Sequence, residues 1–177
     1  MRPFGPLPLL TLALSSLAFA ATEGPGVDQF LLAARAMAPL TLDGAVDEPA
    51  WAAAPMFDGF RQTFPESNAD PTERTELRVL FDDAFLYVSF VCFDSRPEEL
   101  NSRLSRRDDV PTSDAVLISI DTRHDHRSAF VFQVNAGGVM ADGVMNDDTQ
   151  FTNTWDAVWD AKVARRPDGW SAELKVP

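Results

Sequence analysis

The chain predicts an all-β fold, an antiparallel β-sandwich of jelly-roll type with about nine strands and one short helix. Three observations carry this reading. Apolar and polar residues alternate with a period of two through most of residues 73–176, the pattern of half-buried strands. Clusters of Asp, Gly and Asn break the runs at roughly 8–12-residue intervals, the spacing of sandwich hairpins. No segment shows the 3.6-residue apolar recurrence of a long amphipathic helix. With 45% hydrophobic and 24% charged residues, the 177-residue chain has the composition of an ordinary globular domain.

Each element has its own local justification. Residues 38–42 read as a short strand closed by the Asp43-Gly44 turn. Asp47 is placed as the N-cap of one short helix, with Pro49 in its first turn and alanines after Trp51. Residues 73–81 and 85–93 form two runs around Asp82-Asp83-Ala84, a hairpin signal. The second run is apolar on both faces, which predicts a central strand covered on both sides. It also holds Cys92, read as a small buried hydrophobe. Residues 114–121 put Val116, Ile118 and Ile120 on one face, and residues 128–135 do the same with Phe130, Phe132 and Val134. Ala136-Gly137-Gly138 turns the chain into residues 139–146. A last hairpin, residues 157–165 and 170–176, closes around Pro167-Asp168-Gly169.

Charge and chain ends bound the function. A net charge of −12 excludes the basic footprint of a nucleic-acid binder and disfavours anionic membranes. A single cysteine excludes an internal disulfide and Cys-rich zinc sites. Residues 1–20 combine Arg2, a short apolar run from Leu7 to Leu17 and the small-x-small Ala18-Phe19-Ala20, the pattern of a cleaved signal peptide. Residues 21–37 then serve as a linker and 38–177 as the module. The expected location is secreted or periplasmic. The apolar strand pattern running up to Pro177 predicts a module truncated at its C-terminus, with a further domain downstream.

No catalytic motif occurs, so no catalytic residue is assigned and any hydrolase activity is expected outside this domain. Two segments carry polar chemistry. Residues 103–109 gather Arg103, Arg106 and Arg107 beside Asp108 and Asp109, suited to hydroxyl-rich ligands or to a solvated, ion-paired loop. Residues 142–159 bring Asp142, Asp147 and Asp148 close in sequence, a possible oxygen set for calcium or a plain turn. Trp155 and Trp159 flank that segment, as core residues or as flat faces for a sugar ring. His124 and His126 offer two metal ligands in a loop, an incomplete site.

The order of motifs resembles the family 9 carbohydrate-binding modules, of the type that opens larger exported bacterial proteins. The matching segments are Leu42-Asp-Gly-Ala-Val-Asp-Glu-Pro-Ala-Trp51, Thr75-Glu-Leu-Arg-Val-Leu-Phe-Asp-Asp83, Ser113-Asp-Ala-Val-Leu-Ile-Ser-Ile-Asp121, Phe132-Gln-Val-Asn135 and Gly169-Trp-Ser-Ala-Glu-Leu-Lys-Val-Pro177. The resemblance implies a saccharide-binding β-sandwich, with calcium in some members, in proteins of polysaccharide breakdown. It places Gln133 and Asn135 as the polar pair of the sugar site. The family's first stacking tryptophan falls near Pro111, its glutamate falls at Leu117, and its second tryptophan would follow Pro177. The expected binding set is therefore Arg107, Asp108, Gln133, Asn135, Trp155 and Trp159, for an oligo- or polysaccharide partner. Two other classes stand beside it. One is a haem-binding electron-transfer module of the DOMON type, with Met140, Met145, His124 and His126 as local ligand candidates. The other is a docking module that has lost sugar binding.

Overall fold

Leu77 and Val79, Val88 and Phe90, and Ala172 and Leu174 recur at every second position of three neighbouring strands, and that spacing turns them all to one buried face. The computed structural model describes residues 30–109, 111–147 and 150–177. The expected signal peptide over residues 1–20, the first part of the linker and Asp148 lie outside the described residues. The described strands are β1 (Ala34–Arg35), β2 (Thr75–Phe81), β3 (Leu86–Phe93), β4 (Ala115–Ile120), β5 (Ser128–Asn135), β6 (Met140–Asn146), β7 (Gln150–Thr152), β8 (Asp160–Arg166) and β9 (Gly169–Val176). They form two sheets, one of five strands in the order β1-β2-β3-β9-β8 and one of four in the order β4-β5-β6-β7. All pairings are antiparallel except β1 with β2. The predicted sandwich is observed.

The core lies between the sheets. From the five-stranded sheet come Leu77, Val79, Val88, Phe90, Trp170, Ala172, Leu174 and Val176, and from the other Val116, Phe132 and Val134, with Trp159. β3 is central and buried through Tyr87–Val91, as its two-sided apolar pattern predicts. Cys92 sits on its inward face, and burial pushes its thiol pKa up to about 12, so it is not a nucleophile at neutral pH.

The other face of the five-stranded sheet is covered by the chain before β2. Trp51, Ala54, Leu80 and Tyr87 form a second buried cluster there, backed by Leu40, Val46 and Phe85. Glu173, 0% exposed on β9, ties the cover down. Its carboxylate accepts the backbone N–H of Asp43 (3.0 Å) and of Gly44 (2.8 Å), and the indole N–H of Trp51 (2.8 Å). Gly44 adopts φ +89°, and a Cβ there would come within 2.6 Å of the Val163 backbone, so only glycine allows this close approach.

Two local expectations are corrected here. Residues 38–42 form no strand; the short strand is Ala34–Arg35, and the following chain crosses the sheet to bring Asp43 and Gly44 onto Glu173. The expected helix is a single 3-10 turn over Trp51–Ala53, with Ala50 and not Asp47 at its N-cap. Pro55 is the physical reason: the residue before a proline is driven out of helical geometry, and Ala54 is extended at φ −84°, ψ 133°. A second 3-10 turn spans Pro97–Glu99. No helix among the described residues is long and apolar enough to cross a membrane.

Candidate functional site: the open face of the smaller sheet

The two sheets differ in how their outer faces are used. The five-stranded sheet is covered, whereas the outer face of β4–β7 carries no packed element among the described residues. Strand register fixes what stands on it. One row across the sheet is Leu117, Gln133 and Ala141; the next is Ser119, Val131 and Gly143; the third holds Ala129, Met145 and Phe151. From Gln133 to Ala129 is four residues, so the rows span roughly 14 Å.

Ala129, Ala141, Gly143 and Ser119 are small, Val131 is buried among them, and two large apolar side chains stand exposed on this face, Leu117 (49% exposed) and Phe151 (47% exposed). Gly143 explains the position of Phe151. A Cβ at Gly143 would meet the Phe151 ring at 2.7 Å and the Thr152 carbonyl at 2.4 Å, so the ring lies directly over the glycine. The Cε2 and Cζ atoms of the ring are thus set against the sheet and about half of the side chain remains open. A cleft of about 280 Å³ adjoins it, lined by Ser119, Asp121, His126, Arg127, Ser128 and Met145. Asp121 accepts the backbone N–H groups of Arg123 (3.0 Å) and His126 (2.8 Å). The His126 N–H bond is the largest influence holding its carboxyl below the usual range, and keeps it ionised. Arg127 pairs with Asp147 at the rim. The site therefore offers an aromatic plane, an amide, a carboxylate, hydroxyls and a guanidinium on one surface.

The sequence-predicted residues fall into four places. Gln133 is on the open face. Asn135 is 2% exposed and its amide is taken up inside the protein: its nitrogen donates to Arg103 O (2.7 Å) and Ser113 Oγ (3.3 Å), tying the 103–113 segment to the β5–β6 turn, where its oxygen accepts from Gly137 and Val139. Arg107, Asp108, Asp142 and Trp159 are brought together as one network at the edge of the core. Asp142, fully buried, accepts from Arg107, from Ala157 N (2.6 Å) and from Trp159 Nε1 (3.0 Å), while Asp108 Oδ1 accepts Asp142 N (3.1 Å). Trp155 stands apart, its ring tilted 40° against Phe130 with ring centres 4.6 Å apart, in an apolar cleft of about 440 Å³ between the sheets. Asp142 faces inward from mid-strand, whereas Asp147 is exposed beyond the end of β6. Met140 packs against the core, away from the exposed loop of His124 and His126.

Phe151 is the residue that sequence reading missed. Its signal was present as a glycine inside an otherwise regular strand, which marks a close approach by another group.

No family model matches the chain, and no curated protein matches it. Solved structures do share its fold. A family 9 carbohydrate-binding module from Caldicellulosiruptor kristjanssonii in complex with cellotriose superposes with a TM-score of 0.59 and 19% identity, covering 83% of this chain and 67% of that one. The module from that organism in complex with glucose gives 0.57 and 19%, with 83% and 68% covered. A candidate carbohydrate-binding protein from Bacteroides uniformis gives 0.61 at 9% identity, with 82% and 72% covered. The chain thus has the β-sandwich of the family 9 modules.

Proposed function

We propose that this protein binds carbohydrate without catalysis, on the open face of β4–β7. The observation that carries the reading is the Phe151 ring, seated over Gly143 and left half exposed on the face that also carries Gln133 and the Asp121–Arg127 cleft. Sugar rings present apolar C–H faces and polar edges, and this surface supplies an aromatic plane with hydrogen-bonding groups around it. The neighbours solved with cellotriose and glucose favour the same ligand class. An exported location belongs to the same proposal, supported by the leader-like residues 1–20; a role in polysaccharide breakdown and a place within a longer polypeptide are proposed with it from the resemblance to the family 9 modules.

Isothermal titration with cello-, xylo- and chito-oligosaccharides tests it. Phe151→Ala is expected to weaken binding about tenfold or more, equivalent to roughly 1.4 kcal/mol, and Gln133→Ala to weaken it as well. Loss of binding in Trp155→Phe with Phe151→Ala unaffected would move the site to the apolar cleft. No heat with any oligosaccharide would reject the reading.

A further inference from the structure

The loop between β4 and β5 carries both histidines of the chain, His124 and His126, and its backbone is fixed by its own acids. Asp121 accepts the N–H groups of Arg123 and His126, and Asp125 accepts those of Arg127 (2.9 Å) and Ser128 (2.8 Å) together with the Ser128 hydroxyl (2.8 Å). Both histidines adopt the left-handed region, at φ +53° and +55°, on either side of Asp125. Their side chains are exposed and lie next to each other, with ring centres 4.6 Å apart and planes tilted by 60°. Among the described residues no hydrogen bond or ion pair engages either imidazole. The carboxylates of the loop are occupied and its imidazoles are not.

The spacing of the rings is that of two ligands on one ion. Imidazoles bound through metal–nitrogen bonds of about 2.0–2.1 Å, about 90–109° apart, have ring centres about 4.5–5.2 Å apart. The tilt excludes flat stacking of one ring on the other. A softer donor stands close by. Met145 lies opposite Ala129 and Phe151 on the outward phase of β6, and it lines the same cleft of about 280 Å³ as His126. Imidazole nitrogen suits copper, nickel and zinc alike, and among these a pair of such nitrogens ranks Cu(II) first. A thioether beside them narrows the choice to copper, because soft sulfur favours Cu(I).

We propose that His124 and His126 hold a copper ion at the edge of this cleft, with the Met145 thioether as a third donor and water in the remaining positions. The bound ion ties the β4–β5 loop to β6. The site stands apart from the reading of this face as a sugar site, and its test contains no sugar.

In the untagged full chain, isothermal titration with Cu(II) at neutral pH is expected to show one site, at least about tenfold tighter than for Ni(II) or Zn(II). The electron paramagnetic resonance spectrum of the bound Cu(II) is expected to show splitting from two imidazole nitrogens. His124→Gln and His126→Gln are each expected to weaken Cu(II) binding by at least about tenfold and to leave the splitting of a single ring. Both positions are exposed, and both substitutions keep the backbone bonds to Asp121 and Asp125, so circular dichroism is expected to stay unchanged. Met145→Leu is expected to weaken Cu(I), read by competition with a colorimetric chelator, more than Cu(II). Copper bound equally well by both histidine variants would put the ion elsewhere and overturn the proposal. So would nickel or zinc held as tightly as copper, or Cu(I) binding indifferent to Met145→Leu.

Discussion

Asp142 shows how one side chain can organise a whole edge of the sandwich. It stands between Met140 and Val144 on β6, in the phase that points inward, and it is fully buried. Three donors converge on it: the Arg107 guanidinium, the Ala157 N–H and the Trp159 indole. The network joins the 103–109 segment to residues 156–159, and Arg107 adds a bond to the Ala157 carbonyl at 3.0 Å. A buried charge with its partners in place contributes little over an apolar packing of equal volume, but removing one member strands the others. Asp142→Ala is therefore expected to destabilise the fold by about 3–5 kcal/mol, read from urea unfolding monitored by tryptophan fluorescence. A change of under about 1 kcal/mol would mean that the network is not cooperative. The sequence held a signal for this role, because an acid in the inward phase of a strand demands buried partners. What it lacked was the identity of those partners, which come from segments 35 residues before Asp142 and 17 after it.

At the scale of elements, the β2–β3 hairpin rests on Asp82. Its Oδ1 accepts the N–H groups of Ala84 and Phe85, both at 2.8 Å, and its Oδ2 accepts the Tyr87 hydroxyl at 2.9 Å. The Ala84 N–H bond, then Tyr87, hold the Asp82 carboxyl below its ordinary range. Burial first, and then the bond to Asp82, push the Tyr87 hydroxyl up to about 12. Because the folded pKa of Asp82 is depressed, its stabilising contribution is fully present above the unfolded value of about 3.9 and is lost as pH falls through the lower folded one. Asp82→Asn does not titrate; its single oxygen still accepts the Ala84 and Phe85 N–H groups, but its amide nitrogen cannot accept the Tyr87 hydroxyl, so the wild type's advantage in melting temperature is expected to shrink below about pH 4. Parallel curves down to pH 2 would contradict it. Elements such as this hairpin were legible because the turn chemistry is local. β5 matches its expected range, 128–135, since clean alternation runs between two turn signals. The helix expected around Trp51 failed because Pro55, four residues on, limits it to one turn. β7 is three residues long, too short for a period of two to register.

Among the described residues the molecule is asymmetric: one sheet is covered on both faces and the other on only one. That difference predicts where the fold is most resistant to opening. β3 and β9 pair along eight positions, lie at the centre of the five-stranded sheet and are sealed outside by the N-terminal cover, whose Trp51 and Ala54 cluster with Leu80 and Tyr87. Their amides are expected to exchange only through global unfolding, while β5 exchanges sooner and the three-residue edge strand β7 sooner still. Native-state hydrogen exchange followed by mass spectrometry reads this order directly. Trp51→Ala should test its cause. The substitution removes a large side chain that is 3% exposed and its bond to Glu173, at an expected cost of about 3–5 kcal/mol. Protection in β3 and β9 should then fall by that amount, while β7, which opens locally, should keep its rate. If β5 outlasted β3 in the wild type, the N-terminal cover would not be what seals the molecule. The open face would then be the more rigid of the two, and a ligand bound there would meet a surface already set rather than one it must order.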